Sequence, residues 1–282
     1  MMSRLTTYLN RSSRVARDAT TRVLQMQGAE KPSRAPLALF TFRTPEAVKE
    51  CALGCDADVG GTSTVHFDFD DDPARAPPLP PGPKKPSAGK GDADADSDAG
   101  SGSGSGSRRR GAARFHGHMR LAVRPGFEDR VRGGYAGFRN KFRPSLFGEL
   151  TDDVSNHRFL ALRVRAAGHP RTRGSYFVNI QTEGPTNDDL WQHRLYFSRD
   201  DGGWEDVFIP FDGFVMTKAG TINTQPVSML RERVRSVGIS LLGGNSGVEG
   251  PYELGIDEIR AVNEEDVTVE PLDNSIQERG PI

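Results

Sequence analysis

From residue 114 to residue 262 the chain is a succession of short segments in which apolar and polar residues alternate, and this pattern confines it to an all-β fold. In FLALRVRA (159–166), Leu160, Leu162 and Val164 face one way while Arg163 and Arg165 face the other, as in a sheet with one wet face. Further strands are predicted over Arg114–Val123, Gly134–Arg139, Ser175–Gln181, Trp191–Ser198, Trp204–Pro210, Val234–Leu242 and Tyr252–Val262. His169-Pro170, Asp201-Gly202-Gly203 and Gly243-Gly244-Asn245 punctuate them. Ahead of these lie Leu37–Arg43, apolar on both faces, and Ser63–Phe69. About ten strands with little helix between them indicate a sandwich or barrel. One short helix is predicted over Pro226–Arg233.

Residues 71–111 are a different material. Prolines crowd the stretch from Pro73 to Pro86, then come GDADADSDAG, repeated Gly-Ser and Arg108–Arg110. Such a run cannot bury enough apolar surface to offset the entropy of ordering it, so a disordered segment is predicted. The two strands that precede it would hardly fold alone, so it reads as an insertion inside one domain, whose loop-closure cost grows only logarithmically with length. This segment also accounts for a mean hydropathy of -0.56 with 35% hydrophobic residues. The predicted organisation is a basic segment at 1–31, a β-sandwich domain at 32–264 interrupted by the insertion at 71–111, and an acidic tail at 265–282.

Charge is balanced over the whole chain, 37 Lys and Arg against 38 Asp and Glu, which leaves no electrostatic footprint for nucleic acid. The N-terminus departs from this balance. Over Ser3–Gln27, Leu5, Tyr8, Leu9, Ala16, Ala19, Val23 and Met26 gather on one side of a helical wheel and Arg4, Arg11, Arg14, Arg17 and Arg22 on the other. Three readings remain open: a mitochondrial targeting segment, a retained helix lying on anionic lipid, or an amphipathic helix packed on its own domain. No apolar run approaches the roughly 20 residues needed to span a bilayer.

Familiar catalytic signatures are missing: there is no nucleophile elbow, P-loop, zincin helix or dinucleotide fingerprint. His116 and His118, two apart in a predicted strand, project from one face, but further metal ligands are not evident and surface histidines are the simpler reading. Cys51 and Cys55, spaced C-x-x-x-C without a second pair, read as buried or loop thiols. Asp56, Asp58 and the Asp68–Asp72 run offer carboxylates for calcium or acid–base work, against a solvated acidic flank. Trp191 and Trp204 suit either core packing or stacking on a sugar, the basis of an alternative reading as a carbohydrate-binding module. Gly60-Gly61 permits positive φ or close backbone approach, Pro210 marks a strand exit, and Asp257 is placed to satisfy backbone donors at a sheet rim or to bind.

The run Cys51–Ser63, CALGCDADVGGTS, resembles the W-x(4)-D-x(3)-G-G-x-S opening of the complex I intermediate-associated protein family of about 30 kDa. In the same order follow RGGYAGFRN (132–140), FLALRVRAAG with YFVNIQ, GGWEDVFIPFDGF (202–214), and VRSVGISLLGG with GPYELGIDEIR. The shared positions map to Asp56, Gly60, Gly61, Ser63, Gly134, Tyr135, Arg163, Arg165, Asn179, Trp204, Pro210, Phe211, Gly250, Pro251 and Asp257. The family's opening Trp is Cys51 here, so no aromatic anchor carries over to that position. The resemblance implies a galactose-binding-like jelly-roll β-sandwich without cofactor. It also implies an assembly factor, not an enzyme, on the matrix side of the mitochondrial inner membrane and peripheral to it. Its partners would be a membrane-arm intermediate of respiratory complex I and other assembly factors. Arg132, Tyr135, Trp191 and Trp204 are the expected partner-binding anchors, since a few aromatic and Arg side chains carry most interface energy.

Overall fold

The alternation read in residues 159–166 becomes the centre of a sheet. In this computed structural model, which describes residues 4–24, 34–72, 74–78, 111–184, 189–218, 220–223, 227–244 and 246–267, two antiparallel sheets face each other across one core. Helix α1 (Arg4–Leu24) is followed by β1 (Leu37–Thr41), the short α2 (Pro45–Lys49), β2 (Cys51–Cys55), β3 (Thr64–Asp70), β4 (Ala112–Met119) and β5 (Tyr135–Asn140). A tight hairpin, β6 (Pro144–Ser145) and β7 (Gly148–Glu149), leads to β8 (Phe159–Gly168), β9 (Tyr176–Thr182), β10 (Asp189–Arg194) and β11 (Trp204–Pro210). The chain closes with β12 (Val215–Lys218), β13 (Thr221–Ile222), β14 (Val234–Leu242) and β15 (Gly250–Val262).

Sheet A has the order β11-β8-β15-β4-β3, with β1 also on β15; sheet B runs β13-β12-β10-β9-β14-β5-β2. Strands β3 and β4, on either side of the low-complexity run, are neighbours in sheet A from Thr64↔His118 to Asp70↔Ala112. Leu160, Leu162 and Val164 point inward with Leu254, Ile256 and Ile259, and meet Val178, Ile180, Trp191, Ile239 and Leu241 of sheet B. Aromatic contacts join the layers at one end. Phe67 of sheet A stacks on Phe138 of sheet B at 4.2 Å, and Phe42 meets both edge-on. Each such pair adds about 0.5–1.5 kcal/mol beyond burial.

Strand β15 changes partner midway. Its first half pairs β4 as far as Ile256↔Ala113, and its second half pairs β1 from Glu258↔Thr41. The register slips by one residue between them, so Asp257 is an extra, unpaired residue of a β-bulge. Phe42 N–H donates to the Asp257 carbonyl at 2.8 Å, and its wholly buried carboxylate is gripped by Arg43, Nε at 2.9 Å and Nη2 at 3.2 Å. The acid thus anchors Arg43 where β15 passes from β4 to β1.

Several expectations need correction. Residues 227–230 are not helical and Arg231–Arg233 form a single 3-10 turn, because this segment bonds across to another: Val154 N–H donates to Arg231 O, and Asp152 and Val234 exchange bonds. The strand expected to reach Val123 ends at Met119, and the one expected to reach Ser198 ends at Arg194. The expected insertion begins later than residue 71: Arg75 pairs with Asp70 and Asp72, and Pro78 O accepts from Arg163. Its remainder at 79–110 and the acidic tail from 268 lie outside the described residues. Helix α1 packs on its own domain, with Ser12 buried and accepting the Leu146 N–H at 3.0 Å, and Arg11 paired with Glu50 at 2.8 Å. No described helix is long and apolar enough to cross a membrane.

Candidate binding groove

The outer face of sheet B carries few large side chains where its strands lie side by side. Register aligns Ala52, Arg139, Gly238, Asn179 and Gln192 in one row across β2, β5, β14, β9 and β10. Gly54, Gly137 and Ser240 form the row beside it. With alanine, serine or nothing at most of these positions, the sheet surface lies low, Tyr135 reaches over Gly137 and Arg139 over Gly238, and a groove of about 790 Å³ opens above it. Tyr135 and Leu53 border it at one end and Leu190 and Gly220 at the other.

Uncharged amides run along the floor. Gln192 Nε2 donates to Asn179 Oδ1 at 2.7 Å, Asn179 Nδ2 donates to Ser240 Oγ at 2.9 Å, and Thr217 Oγ1 donates to Gln192 Oε1 at 3.0 Å. Each bond fixes which way an amide faces, and each NH2 group retains a second proton. One wall is cationic. The guanidinium groups of Arg139 and Arg235 lie 4.4 and 4.6 Å from the centroid of Phe142. Such contacts hold a guanidinium against the ring at about 0.5–1 kcal/mol each on an exposed surface. Glu149 neutralises Arg235, accepting at 2.6 Å from Nη2. Arg139 donates to Asn140 O at 3.3 Å, and among the described residues no carboxylate pairs with it.

Tyr135 is held at the rim from below. Asp56, 2% exposed, accepts from Ser63 N–H (2.8 Å), Ser63 Oγ (2.8 Å), Gly134 N–H (2.5 Å) and Tyr135 N–H (3.2 Å). One carboxylate thereby ties the loop after β2 to the start of β5. The glycine pair read from the sequence serves this knot: Gly60 takes φ +119°, and a Cβ on Gly61 would stand 2.3 Å from the Asp56 carboxyl carbon. Burial raises the Tyr135 phenol above its ordinary 10.0, against a downward pull from Arg139.

Of the expected anchors, Tyr135 is 41% exposed and Arg132 is exposed beside it, lining a shallow hollow with Asp58, Val59 and Arg130. Trp191 is in the core at 7% exposure, so its indole is not presented to a partner. Trp204 lies half-buried on the opposite sheet, with Nε1 donating to Arg75 O at 3.0 Å. The four therefore do not share one surface. Arg139, Phe142 and Arg235, none of them singled out in sequence as a binding residue, line the groove instead. Arg139 and Arg235 fall in family-like stretches, but only the pairing of β5 with β14 brings those stretches together.

The outer face of sheet A is a lattice of ion pairs. Asp206 binds Arg163 and Arg260 at 3.2 Å each, and Glu253 binds Arg165 at 2.9 Å. His116 stacks on His66 and lies 2.9 Å from Asp68, while His118 Nδ1 lies 3.2 Å from Met119 O. Among the described residues no group of three or more His, Cys, Asp or Glu side chains is placed to hold a metal ion. Both cysteines are free thiols; burial pushes Cys51 up to about 12 and raises Cys55 as well.

A family model described as Complex I intermediate-associated protein 30 (CIA30) matches residues 40–256. A Neurospora crassa protein, "Complex I intermediate-associated protein 30, mitochondrial", is 35% identical over 232 residues, 82% of this chain and 75% of that protein. Among solved structures, a family 11 carbohydrate-binding module from Clostridium thermocellum in complex with a β-1,3-1,4-mixed-linked tetrasaccharide is 12% identical with a TM-score of 0.45, covering 81% of this chain and 95% of that one. The family 11 module of the cellulosomal cellulase Lic26A-Cel5E, also from Clostridium thermocellum, is 12% identical with a TM-score of 0.47, covering 82% and 96%.

Proposed function

Since the chain belongs to the complex I intermediate-associated protein 30 family, we propose that it is an assembly factor for mitochondrial respiratory complex I. The family match over residues 40–256 is the observation that carries this reading. Its partner is an intermediate of the membrane arm, met together with other assembly factors on the matrix side of the inner membrane. The protein acts through contact area rather than bond chemistry, shielding surface on the unfinished subassembly and leaving before the enzyme is complete. Reversible release calls for a modest interface with few anchors. Exposed Tyr135 supplies an anchor at one end of the groove on sheet B, Arg132 one in the hollow beside it, and half-buried Trp204 one on the opposite face.

Deleting the gene tests the reading. Native-gel analysis of mitochondria from the deletion strain is expected to show loss of mature complex I and accumulation of a partial membrane arm, with the tagged protein co-migrating with the partial species. Normal complex I in that strain rejects the assembly role. Accumulation of a peripheral-arm species instead would keep the role and reject the membrane arm as its object.

A further inference from the structure

We propose that the groove on sheet B binds an extended polypeptide segment bearing a carboxylate side chain, with Arg139 receiving the carboxylate and Asn179, braced by Gln192, receiving peptide groups. For the origin of that segment the proposal rests on the assembly reading above; the chemistry of the site comes from the groove itself.

Three observations point to this ligand. The first is extent. The groove crosses five adjacent strands, from Ala52 on β2 to Leu190 on β10. Four inter-strand spacings of about 4.8 Å give roughly 19 Å, the length of about six extended residues. The second is polarity: a primary amide offers one acceptor and two donors, the complement of a peptide unit, and the chain Thr217–Gln192–Asn179–Ser240 fixes the orientation of each before any ligand arrives. The third is charge. Arg235 and Arg139 share one aromatic ring, yet only Arg235 has a carboxylate, Glu149, among the described residues. Arg139 is thus a guanidinium braced against an aromatic ring and, among the described residues, without a carboxylate, which suits it to bidentate carboxylate recognition.

A saccharide fits these walls less well, because sugar rings stack on open aromatic faces and Tyr135 at the rim is the one exposed ring among the groove's described residues without a cation against it. Phe142 carries two guanidinium groups, Trp191 is buried and Trp204 is on the other sheet.

The test uses the full chain and two fluorescein-labelled hexapeptide libraries, one with Glu fixed at the third position and one with Gln there, followed by fluorescence polarisation. The Glu library is expected to bind about tenfold more tightly. Arg139→Gln is expected to erase that preference, Arg139→Lys to retain part of it, and Asn179→Ala to weaken both libraries. The melting temperature of each variant checks that the fold is intact. Equal binding of the two libraries, no saturable binding of either, or a Glu preference that survives Arg139→Gln overturns the proposal. So does saturable binding of a mixed-linkage glucan tetrasaccharide that is lost in Asn179→Ala, which would make the groove a sugar site. A strain carrying Arg139→Gln separates this proposal from the assembly role. Normal complex I in that strain, beside its loss in the deletion strain, rejects the groove as the assembly contact while the assembly role stands.

Discussion

Replacing Asp56 by alanine removes the acceptor shared by four donors at the junction of two loops. Ser63 Oγ has another acceptor in Arg120 O at 3.0 Å, so the orphaned groups are the backbone N–H of Ser63, Gly134 and Tyr135. A buried unsatisfied donor costs about 1–3 kcal/mol. The first two are buried and the third is partly open to solvent, which sets the total at about 3–5 kcal/mol. Asparagine behaves differently. With its oxygen in place of Oδ2 it still accepts from Gly134 and Tyr135, and only the Ser63 N–H meets an NH2 group, a loss of about 1–3 kcal/mol. Urea unfolding followed by tryptophan fluorescence suits the measurement, because the Trp191 indole is buried and reports loss of the core. For a domain of this size Asp56→Ala should lower Tm by roughly 6–20 °C, at about 2–4 °C per kcal/mol. The same variant should also loosen Tyr135 at the groove rim. If Asp56→Ala costs less than about 1 kcal/mol, or no more than Asp56→Asn, the carboxylate is not the knot the hydrogen bonds describe.

Asp257→Ala leaves Arg43 with Glu258 and Arg163 with Asp206, and is expected to cost about 2–4 kcal/mol, toward the low end of values for broken buried pairs because Arg43 remains partly solvated; an unchanged urea midpoint would refute this. Cys51 is protonated in the folded chain until about pH 12, whereas an ordinary thiol titrates near 9.0. Its raised value contributes stability that is complete below pH 9 and lost as pH rises toward 12, so Cys51→Ala should flatten the alkaline fall in Tm, and native alkylation at pH 8 should label Cys55 before Cys51. Replacing residues 79–110 by an eight-residue Gly/Ser linker shortens that stretch about fourfold and should stabilise the chain by about 1 kcal/mol; a Tm drop of many degrees would show that the segment contributes to the fold.

What could be read in advance follows the physics of each element. Trp204–Pro210 and Val234–Leu242 form as expected, because each is rich in β-branched and aromatic or aliphatic residues and is bounded by glycine turns, Gly202-Gly203 before the first and Gly243-Gly244 after the second. The second half of β15 hides its facing: Tyr252, Leu254 and Ile256 point inward, then Ile259 and Ala261, and the change of parity is the bulge at Asp257. Strand β2 has glycine and alanine where strand formers would be expected, and owes its existence to pairing with β5. The groove was the least legible feature. Its floor consists of side chains that are missing, drawn from strands whose spatial neighbours are distant in sequence, and an absence has no period to detect.

The two outer faces of the sandwich differ in what they can offer. On sheet A, Arg163, Arg165 and Arg260 each have an acid in contact, and residues 74–78 cover part of the face through Arg75 and Pro78. A partner docking there would have to displace charges that already satisfy one another, and removing one member of a buried pair costs more than a new contact returns. Among the described residues, sheet B presents amide protons that the row itself does not use and, at Arg139, a guanidinium without a carboxylate. Neutral amides lose less hydration free energy than charges when covered, so contacts with them form and break at modest cost. A factor that must hold an unfinished enzyme and then release it is better served by such a face than by a second ion-pair lattice. For that reason loss of function should concentrate in sheet B substitutions such as Arg139→Gln and Asn179→Ala, while Arg165→Gln on sheet A, at similar stability, should leave complex I levels unchanged; the reverse distribution would place the working surface on the other face.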